Sequence, residues 1–453
     1  MSRMHFVFKG ALVAFLSLLL LVPLMVINGT IGERQAYRSE AVETVTQSFA
    51  GPQTLVGPVL VVPYAEQVQV VSKDKNDNDV TRTETQQKQW FFFPKAMTLD
   101  GGIRPSERKL GLYNVRIYEL QTRIAANFDA VVPNDAGVVR TIGQPYLSLS
   151  ISDVRGLAGT PVLKVDHVPV ALMQNVGGHR KDNGLHAPLP AVAFGQHVAM
   201  TVDLQLALGG TETLAVAPIA DSNHITLKSA WPHPHFAGSF LPHDHTIGDQ
   251  GFNANWDISS LAAGTQGQYL EGDDKQMDVL SIGLVEPVNV YTQVDRASKY
   301  GFLFVMLTFV GFFMFELIKR LAIHPIQYGL VGLALAIFFL LLLSLSERIE
   351  FWIAYLIASV ACIGLLGVYL SAVLKSRGRG LAFAAMLTLL YAALYGLLVS
   401  EDNAMVLGSL MLFAILAAIM LVTRKIDWYA LSAGNAPPPI PAPAFSESTA
   451  ASA

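Results

Sequence analysis

The feature that most constrains this chain is the separation of its apolar residues from its charged ones. Between Asn28 and Lys299 lie 28 of the 35 acidic and 21 of the 31 basic residues. Outside that block, a window of about 19 residues finds six apolar runs, each long enough to cross a hydrocarbon layer about 30 Å thick. These runs are Phe6–Ile27, Tyr300–Ile318, Ile326–Leu345, Phe351–Leu370, Leu381–Val399 and Ala404–Val422. The sequence therefore predicts a polytopic membrane protein with one large water-soluble insertion.

The positions of Lys and Arg in the short connections predict the orientation of these spans. Basic residues resist translocation across a membrane and therefore remain on the cytoplasmic side. Alternate connections carry Arg3, Lys9, Lys319, Arg320, Lys375, Arg377, Arg379, Arg424 and Lys425. The connections between them offer only Arg348 among short loops. We therefore expect both termini in the cytoplasm and the block from Asn28 to Lys299 outside it.

The chain divides into four predicted segments. Residues 1–27 form the cytoplasmic N-terminus and first span, and residues 28–299 form the extracytoplasmic domain. Residues 300–425 hold five further spans, and the Pro-, Ala- and Ser-rich residues 426–453 are typical of a disordered tail. The predicted fold class is α+β, a six-helix bundle with a β-rich, sandwich-like domain inserted between its first and second helices.

Local patterns within the insertion predict mostly strands after one helix. Apolar residues four apart from Glu33 to Phe49 indicate an amphipathic stalk helix. The polar run from Ser72 to Lys88 is typical of a solvated, mobile loop, and Gly209–Glu212 resembles a hairpin turn. Alternating or apolar runs predict strands at Gly57–Tyr64, Gln89–Phe93, Tyr146–Ser152, Val198–Leu206, Leu214–Ala217, His224–Ser229 and Val279–Thr292.

Composition and motifs exclude several classes of function. A net charge of −4 argues against a nucleic-acid partner, which would require a concentrated basic surface. The lone Cys362 excludes an internal disulfide and a Cys-rich metal site. Nucleophile-elbow, phosphate-loop, dinucleotide and zinc-protease motifs are all absent from the sequence. We therefore expect no cofactor and no catalytic residue.

One segment nevertheless carries side chains suited to metal binding or to contact with a partner. Trp231, Pro232, His233, Pro234, His235 and Phe236 are followed by His243, Asp244 and His245. Paired imidazoles with a carboxylate could bind zinc or copper, but a proline-rigid structural loop is the favoured interpretation. An exposed Trp and Phe held by prolines would make a low-entropy contact surface. Packing of both rings into the β core is the alternative that we favour over contact.

Transport is a further hypothesis, because six spans can enclose a pathway. Coupling to ions or protons usually requires ionisable residues inside the membrane. Glu316 is the one acid within a predicted span, close to Lys319 and Arg320. An interfacial ion pair explains Glu316 more simply than a proton relay does. Small residues at helical spacing, such as Gly329 with Gly332, indicate close helix packing rather than a pore.

Many stretches, in order along nearly the whole chain, resemble one known family. They are Arg34–Ser39, Gly51–Pro58, Glu107–Tyr113, Asp153–Gly156, Trp231–Phe236, Asp295–Tyr300, Phe315–Glu316, His324–Tyr328, Leu342–Glu347 and Ile426–Tyr429. On these residues the chain resembles the CreD family of bacterial inner-membrane proteins, described as cell envelope integrity proteins. The resemblance implies a target of a two-component system that responds to envelope stress, including β-lactam exposure, and a link to colicin tolerance. The resemblance supplies no catalytic residue and no cofactor to carry over to this chain.

We therefore expect a noncatalytic protein of the Gram-negative inner membrane that acts in envelope integrity and the envelope-stress response. Its expected partners are the lipid bilayer and an envelope protein, lipid or cell-wall component that contacts the outer domain. The candidate contact residues are Trp231, Pro232, His233, Pro234 and Phe236. A membrane enzyme acting on envelope components is the alternative, and a channel or transport component is the third.

Overall fold

The computed structural model describes residues 11, 15–16, 18–73, 79–135, 139–177, 183–272, 277–284, 290–319, 323–400 and 404–424. It divides the chain into two compact units. One unit comprises residues 1–35 and 288–453, and the other comprises residues 36–287. The fold is α+β, with apolar helices in the first unit and two large β-sheets in the second. The predicted terminal segments 1–10 and 426–453 lie outside the described residues.

Helix α1 runs from Leu21 to Ser48, so the boundary between the two units falls within it. The helix predicted over Glu33–Phe49 is confirmed by this element. Within the β unit, Ala41 and Val45 of α1 pack against Val115 and Ile117. Tyr37 belongs to the same predicted apolar stripe but is 54% exposed. Within the predicted stretch Glu33–Phe49, the buried part of the apolar stripe therefore lies towards the C-terminal end of the helix.

Two sheets form the β unit, and their inward side chains meet in one hydrophobic core. Within the described residues the strands are β1 (Gln53–Lys73), β2 (Asp79–Phe92), β3 (Ala96–Leu110), β4 (Tyr113–Val131), β5 (Arg140–Ile142), β6 (Tyr146–Ile151), β7 (Leu157–Val165), β8 (Val168–Val170), β9 (Met173–Gln174), β10 (Gly184–Pro188), β11 (His197–Thr211), β12 (Thr213–Val216), β13 (Ser222–Ser229), β14 (His235–Gly238), β15 (Asp244–Gly248), β16 (Gly251–Ser259) and β17 (Leu280–Gly283). A 3-10 turn (Val154–Gly156) precedes β7, and a short helix α2 (Thr265–Glu271) precedes β17.

The order of one sheet is β14-β17-β12-β1-β6-β10-β9, with β2 and β5 also paired to β1. The order of the other is β15-β16-β13-β3-β4-β11-β7-β8. Strict alternation along β4 and β11 directs Leu120, Ile124, Leu204 and Leu206 into the core. Full burial of each such side chain contributes about 1.5–3 kcal/mol. Apolar packing between the sheets therefore dominates the stability of this unit.

The predicted hairpin at Gly209–Glu212 is wrong. Strand β11 belongs to the eight-stranded sheet and β12 to the nine-stranded sheet, so the chain changes sheets at Glu212 (φ 59°). The glycines serve close packing rather than a turn, because a Cβ at Gly210 would lie 2.4 Å from Tyr118 Oη.

Two further expectations from local patterns are also wrong. Residues of the expected loop Ser72–Lys88 form a ribbon, in which β1 and β2 stay paired as far as Lys73 and Asp79. Threonines at alternate positions of β2 favour this pairing although the segment lacks apolar alternation. The strand expected over Val279–Thr292 is limited to β17, and Val290 already lies in a helix.

The membrane unit contains helices α3 (Val290–Lys319), α4 (Pro325–Ser346), α5 (Phe351–Val373), α6 (Arg377–Val399) and α7 (Ala404–Thr423). Helices α3, α4, α5 and α6 pack in a closed ring in which each contacts the next. In the described part of the chain, four helical stretches are long and apolar enough to cross a membrane. These are Tyr291–Phe313, Pro325–Ser346, Phe351–Val373 and Arg377–Val399. The described part of α7 adds a shorter apolar stretch, Val406–Ala417.

Candidate contact site and the ties between sequence motifs

The segment around Trp231 connects β13 of one sheet to β14 of the other. The Trp231 ring is half-buried against the core, and the guanidinium of Arg116 covers it at 3.9 Å from the ring centroid. The indole N–H of Trp231 donates to the carbonyl oxygen of His233 at 2.8 Å. Its backbone N–H donates to Ser229 Oγ at 3.1 Å. Trp231 is therefore held between the core and a cation.

Phe236 also faces the core. Its ring makes edge contacts with Phe252 and Trp256, both at 5.7 Å between centroids, and with His245 at 5.6 Å. Trp256 is 1% exposed and donates its indole N–H to the carbonyl oxygen of Phe240. These contacts are what the core-packing alternative requires of Phe236.

The rest of the candidate contact segment remains accessible. His233 is exposed, and Pro232 and Pro234 are half-buried beside it. Leu241, shortly after β14, is 70% exposed. The structure thus divides the five candidate residues into two inward rings and a proline-bounded, solvent-facing histidine. A contact role for this segment stays a prediction.

The five possible metal ligands do not come together. Among the residues that the structure describes, no group of three or more His, Cys, Asp or Glu side chains is close enough to hold a metal ion. The rings of His233 and His245 instead lie against Trp231 and Phe236, respectively. Asp244 begins the edge strand β15, and His243 just before it donates its backbone N–H to Asn255 of β16. Successive residues of such a strand face opposite sides.

Several of the stretches that resemble the CreD family lie close together in the structure and connect different elements. Arg155 donates from its guanidinium to the carbonyl oxygens of Thr46 (3.2 Å) and Gln47 (2.6 Å), at the C-terminal end of α1. A cation there is favourable because the helix dipole places partial negative charge at that end. Asp153 in turn accepts from the Arg155 guanidinium and from the backbone N–H of Gly51.

The electrostatics of this junction are visible in Asp153. Its hydrogen bond from Arg155 is the largest influence and lowers the pKa of the carboxyl, partly opposed by burial. Gln53 closes the junction, because its side-chain amide donates to the carbonyl oxygens of Asp153 and Gly209. Gly156 is required by close approach, since a Cβ there would lie 2.1 Å from the Gly209 oxygen. The family resemblance singles out these residues, but nothing in the sequence predicts that they meet at one junction.

Helix α1 forms an ion pair within each unit. In the membrane unit Arg34 lies 3.4 Å from Glu347 at the end of α4. In the β unit Arg38 lies 3.4 Å from Glu212, the residue at which the chain changes sheets. The stretches that resemble the CreD family include Arg34, Arg38 and Glu347, and therefore include paired charges. Half-exposed pairs of this kind contribute at most about 1 kcal/mol each, so they fix geometry more than stability.

Glu316 lies at the cytoplasmic end predicted for α3 and is 5% exposed. Tyr328 Oη donates to its Oε2 at 2.8 Å, and the backbone N–H of Ile323 reaches its Oε1 at 3.4 Å. The side chains of Lys319 and Arg320, the expected ion-pair partners, lie outside the described residues. Tyr328 is the partner that sequence reasoning missed, because a twelve-residue separation gives no helical periodicity to read.

The stretch His324–Tyr328 also starts α4. His324 accepts the Ile326 N–H through its Nδ1, and Gln327 Oε1 accepts the His324 N–H, which together form a capping box. Pro325 occupies the first helical turn, where no backbone donor is needed. This local chemistry places Tyr328 one turn into the helix and within reach of Glu316.

Comparison with known proteins identifies the family. Residues 5–429 match the family of the inner membrane protein CreD. The chain belongs to this family. It is 36% identical to the inner membrane protein CreD of Escherichia coli (strain K12) over 419 residues, 92% of each chain. Family membership and the four apolar helices together make the chain a multi-pass protein of the inner membrane.

Solved structures add little to this assignment. A mutant M1 zinc metallopeptidase from Deinococcus radiodurans gives a TM-score of 0.22 at 10% identity, covering 42% of this chain and 42% of its own. Another structure of the M1 zinc metallopeptidase from that organism gives a TM-score of 0.20 with the same identity and coverage. TM-scores this low support no statement about fold or activity.

Proposed function

We propose that this member of the CreD family acts noncatalytically in cell-envelope integrity and the envelope-stress response. The bundle of six spans, with both termini in the cytoplasm, anchors a periplasmic β unit that contacts an envelope component. That component is a protein, a lipid or a cell-wall polymer. The observation that carries this proposal is the alternation of Lys and Arg between successive connections of the apolar runs.

The geometry of the Trp231 segment supports a contact role for its solvent-facing side. Trp231 and Phe236 are fixed by aromatic and cation contacts, so the backbone between them is held in one conformation. Pro232 and Pro234 restrict it further. His233 is thereby presented with little conformational entropy left to lose on binding. A rigid, exposed segment is better suited to recognition than a flexible one of the same composition.

Photo-crosslinking in intact envelopes tests this proposal. A photoreactive amino acid is placed at His233 or at Leu241 in the full-length chain, and adducts are identified by mass spectrometry. The matched control is Leu261, which is 98% exposed elsewhere in the β unit. We expect defined adducts from His233 and Leu241 and none above background from Leu261. Equal adducts from all three positions would contradict a specific contact.

A further inference from the structure

The outward face of the eight-stranded sheet contains a trough that runs across its strands. One register row contains three small residues and one glutamine, since Gly102 pairs with Gln121, Gln121 with Ala207, and Ala207 with Ala158. Lys228 stands beside Gly102 at one end of this row. A Cβ added at Gly102 would meet nothing within 4 Å, so the floor is open to solvent. The depression has a volume of about 1100 Å³.

The length of the trough follows from the sheet order. Its floor crosses β13, β3, β4, β11 and β7, which are consecutive neighbours. Four spacings of about 4.8 Å between strands give a length of roughly 19 Å. At the β7 end, two extra residues bulge between the pairs Gln205–Val162 and Ala207–Ala158. Gly159 in this bulge has φ +71°, and Thr160 lines that end of the trough.

Larger polar side chains form the walls. The neighbouring row on one side contains Asp100, Arg123 and Gln205, which are register partners. Arg104 stands on the other side. Arg123 is fixed by two hydrogen bonds to Asp203, at 2.9 and 2.7 Å.

The wall charges are unbalanced in favour of cations. Three cations line the trough, but Arg123 is already paired with Asp203, which leaves Arg104 and Lys228 against Asp100 among the described lining residues. Arg104 and Lys228 make no ion pair with any residue that the structure describes. A concave surface with excess positive charge favours an anionic ligand.

The orientation of the trough excludes recognition by strand addition. An extended peptide that adds to a sheet requires free backbone groups at an edge. Here the floor lies on the face of the sheet, where backbone groups are already paired within it. Recognition must therefore come from side chains, and the lining supplies amides and hydroxyls from Gln121, Gln205, Gln250, Thr160 and Ser229. None of the described lining residues is aromatic, so ligands that need a stacking platform, such as nucleobases, do not fit.

We propose that this trough binds one segment of an acidic polysaccharide. Sugar rings lie over Gly102 on one side of Gln121 and over Ala207 and Ala158 on the other, ring hydroxyls bond to the glutamine amides, and carboxylates lie near Arg104 and Lys228. The inference specifies the envelope component of the proposed function as a polymer. It rests on that function only for the compartment in which the ligand is met.

Binding to purified full-length chain in detergent tests the trough. The acidic probe is a peptide-free hexasaccharide of alternating N-acetylglucosamine and N-acetylmuramic acid, and the neutral probe is the chitin hexasaccharide, which lacks the carboxylates. We expect Ala207→Phe, which fills the floor, to weaken binding of the acidic probe about tenfold or more. The matched control Ala125→Phe adds the same ring on the outward face of β4 outside the trough, and should leave binding unchanged.

A second variant tests the positive charges of the trough separately from the space on its floor. Arg104→Gln with Lys228→Gln changes only exposed side chains and therefore keeps the fold even where Ala207→Phe does not. The double variant should weaken binding of the acidic probe about tenfold and leave binding of the neutral probe unchanged. Equal binding of both probes to the unaltered chain, or tighter binding of an acidic peptide of equal charge, would overturn the proposal. Because these assays use purified protein, their failure is distinguishable from a failure of the proposed topology.

Discussion

Trp231 connects the two sheets through its packing, and its removal should show this directly. The Trp231→Ala variant loses contacts with the core and with the Arg116 guanidinium. We expect the free energy of unfolding of the β unit to fall by about 2–3 kcal/mol, at the low end for an aromatic because the ring is half-buried. Denaturant unfolding of the full chain in detergent, followed by far-UV circular dichroism, measures this loss. His233→Ala serves as control and should change stability by less than about 0.5 kcal/mol.

The Asp153–Arg155 pair predicts a pH dependence at the end of α1. The pKa of Asp153 lies below its ordinary value of 3.8, chiefly because Arg155 donates to it. The carboxylate therefore stabilises the junction above the unfolded-state pKa, and this contribution disappears as the pH falls through the folded-state pKa. Hydrogen exchange at Gln53 and Leu55, corrected for intrinsic rates, should accelerate severalfold below about pH 4. In Asp153→Asn the exchange should already be faster at neutral pH and should respond less to acid.

At the level of residues, the sequence indicated which side chains could matter better than it indicated which side chains touch. The aromatic type of Trp231 and Phe236 and the prolines beside them were enough to propose two roles for these rings, contact with a partner or packing into the core. The Tyr328–Glu316 hydrogen bond was not, because it depends on how two helices pack. The trough was invisible for another reason. The small residues of its floor, Gly102, Ala207 and Ala158, are far apart in sequence and lie in one row only because of the strand register.

Among the helices, two glycines three residues apart provide a matched test of packing. A Cβ at Gly332 would lie 2.1 Å from Leu20 Cδ1 and 2.8 Å from Phe309 Cζ, whereas a Cβ at Gly329 would meet nothing within 4 Å. We expect Gly332→Ala to destabilise the bundle by about 1–3 kcal/mol through overpacking. Gly329→Ala should be neutral or stabilising by up to about 1 kcal/mol, because alanine favours the helix. Thermal aggregation midpoints in detergent compare the two variants, and equal midpoints would contradict the packing.

Elements with strong periodicity were predictable, and those set by long-range pairing were not. The stalk helix follows from apolar residues four apart, and β13 from its alternation. The ribbon of β1 and β2 did not, because most of β2 lacks apolar alternation and only its pairing with β1 distinguishes it from a loop. The change of sheet at Glu212 likewise depends on Tyr118 filling the space beside Gly210, a contact ninety-two residues apart in sequence.

For the molecule as a whole, hydropathy sufficed to separate a lipid-embedded part from a water-soluble one. The division into two compact units falls at residues 35 and 288, where charge density changes along the chain. Orientation is a separate property, because the same helices pack equally well in either direction across a bilayer. Only the asymmetric distribution of Lys and Arg carries that information.

Single-cysteine labelling tests the orientation, and the chain suits it because its one cysteine, Cys362, is buried. In a Cys362→Ser background, Leu261→Cys reports on the β unit, and Gly378→Cys reports on the start of α6. Both Leu261 and Gly378 are exposed. With a membrane-impermeant maleimide added to cells whose outer membrane is permeabilised, we expect labelling at 261 and none at 378 until the inner membrane is disrupted. The opposite pattern would place the β unit in the cytoplasm and remove the basis for any contact with the envelope. Labelling at both positions in intact cells would instead indicate a leaking membrane, which a cytoplasmic marker enzyme in the medium controls for.

Because Lys375, Arg377 and Arg379 surround position 378, replacing all three with Gln in the Gly378→Cys variant should increase labelling there from outside, which links the orientation to the charges that predict it.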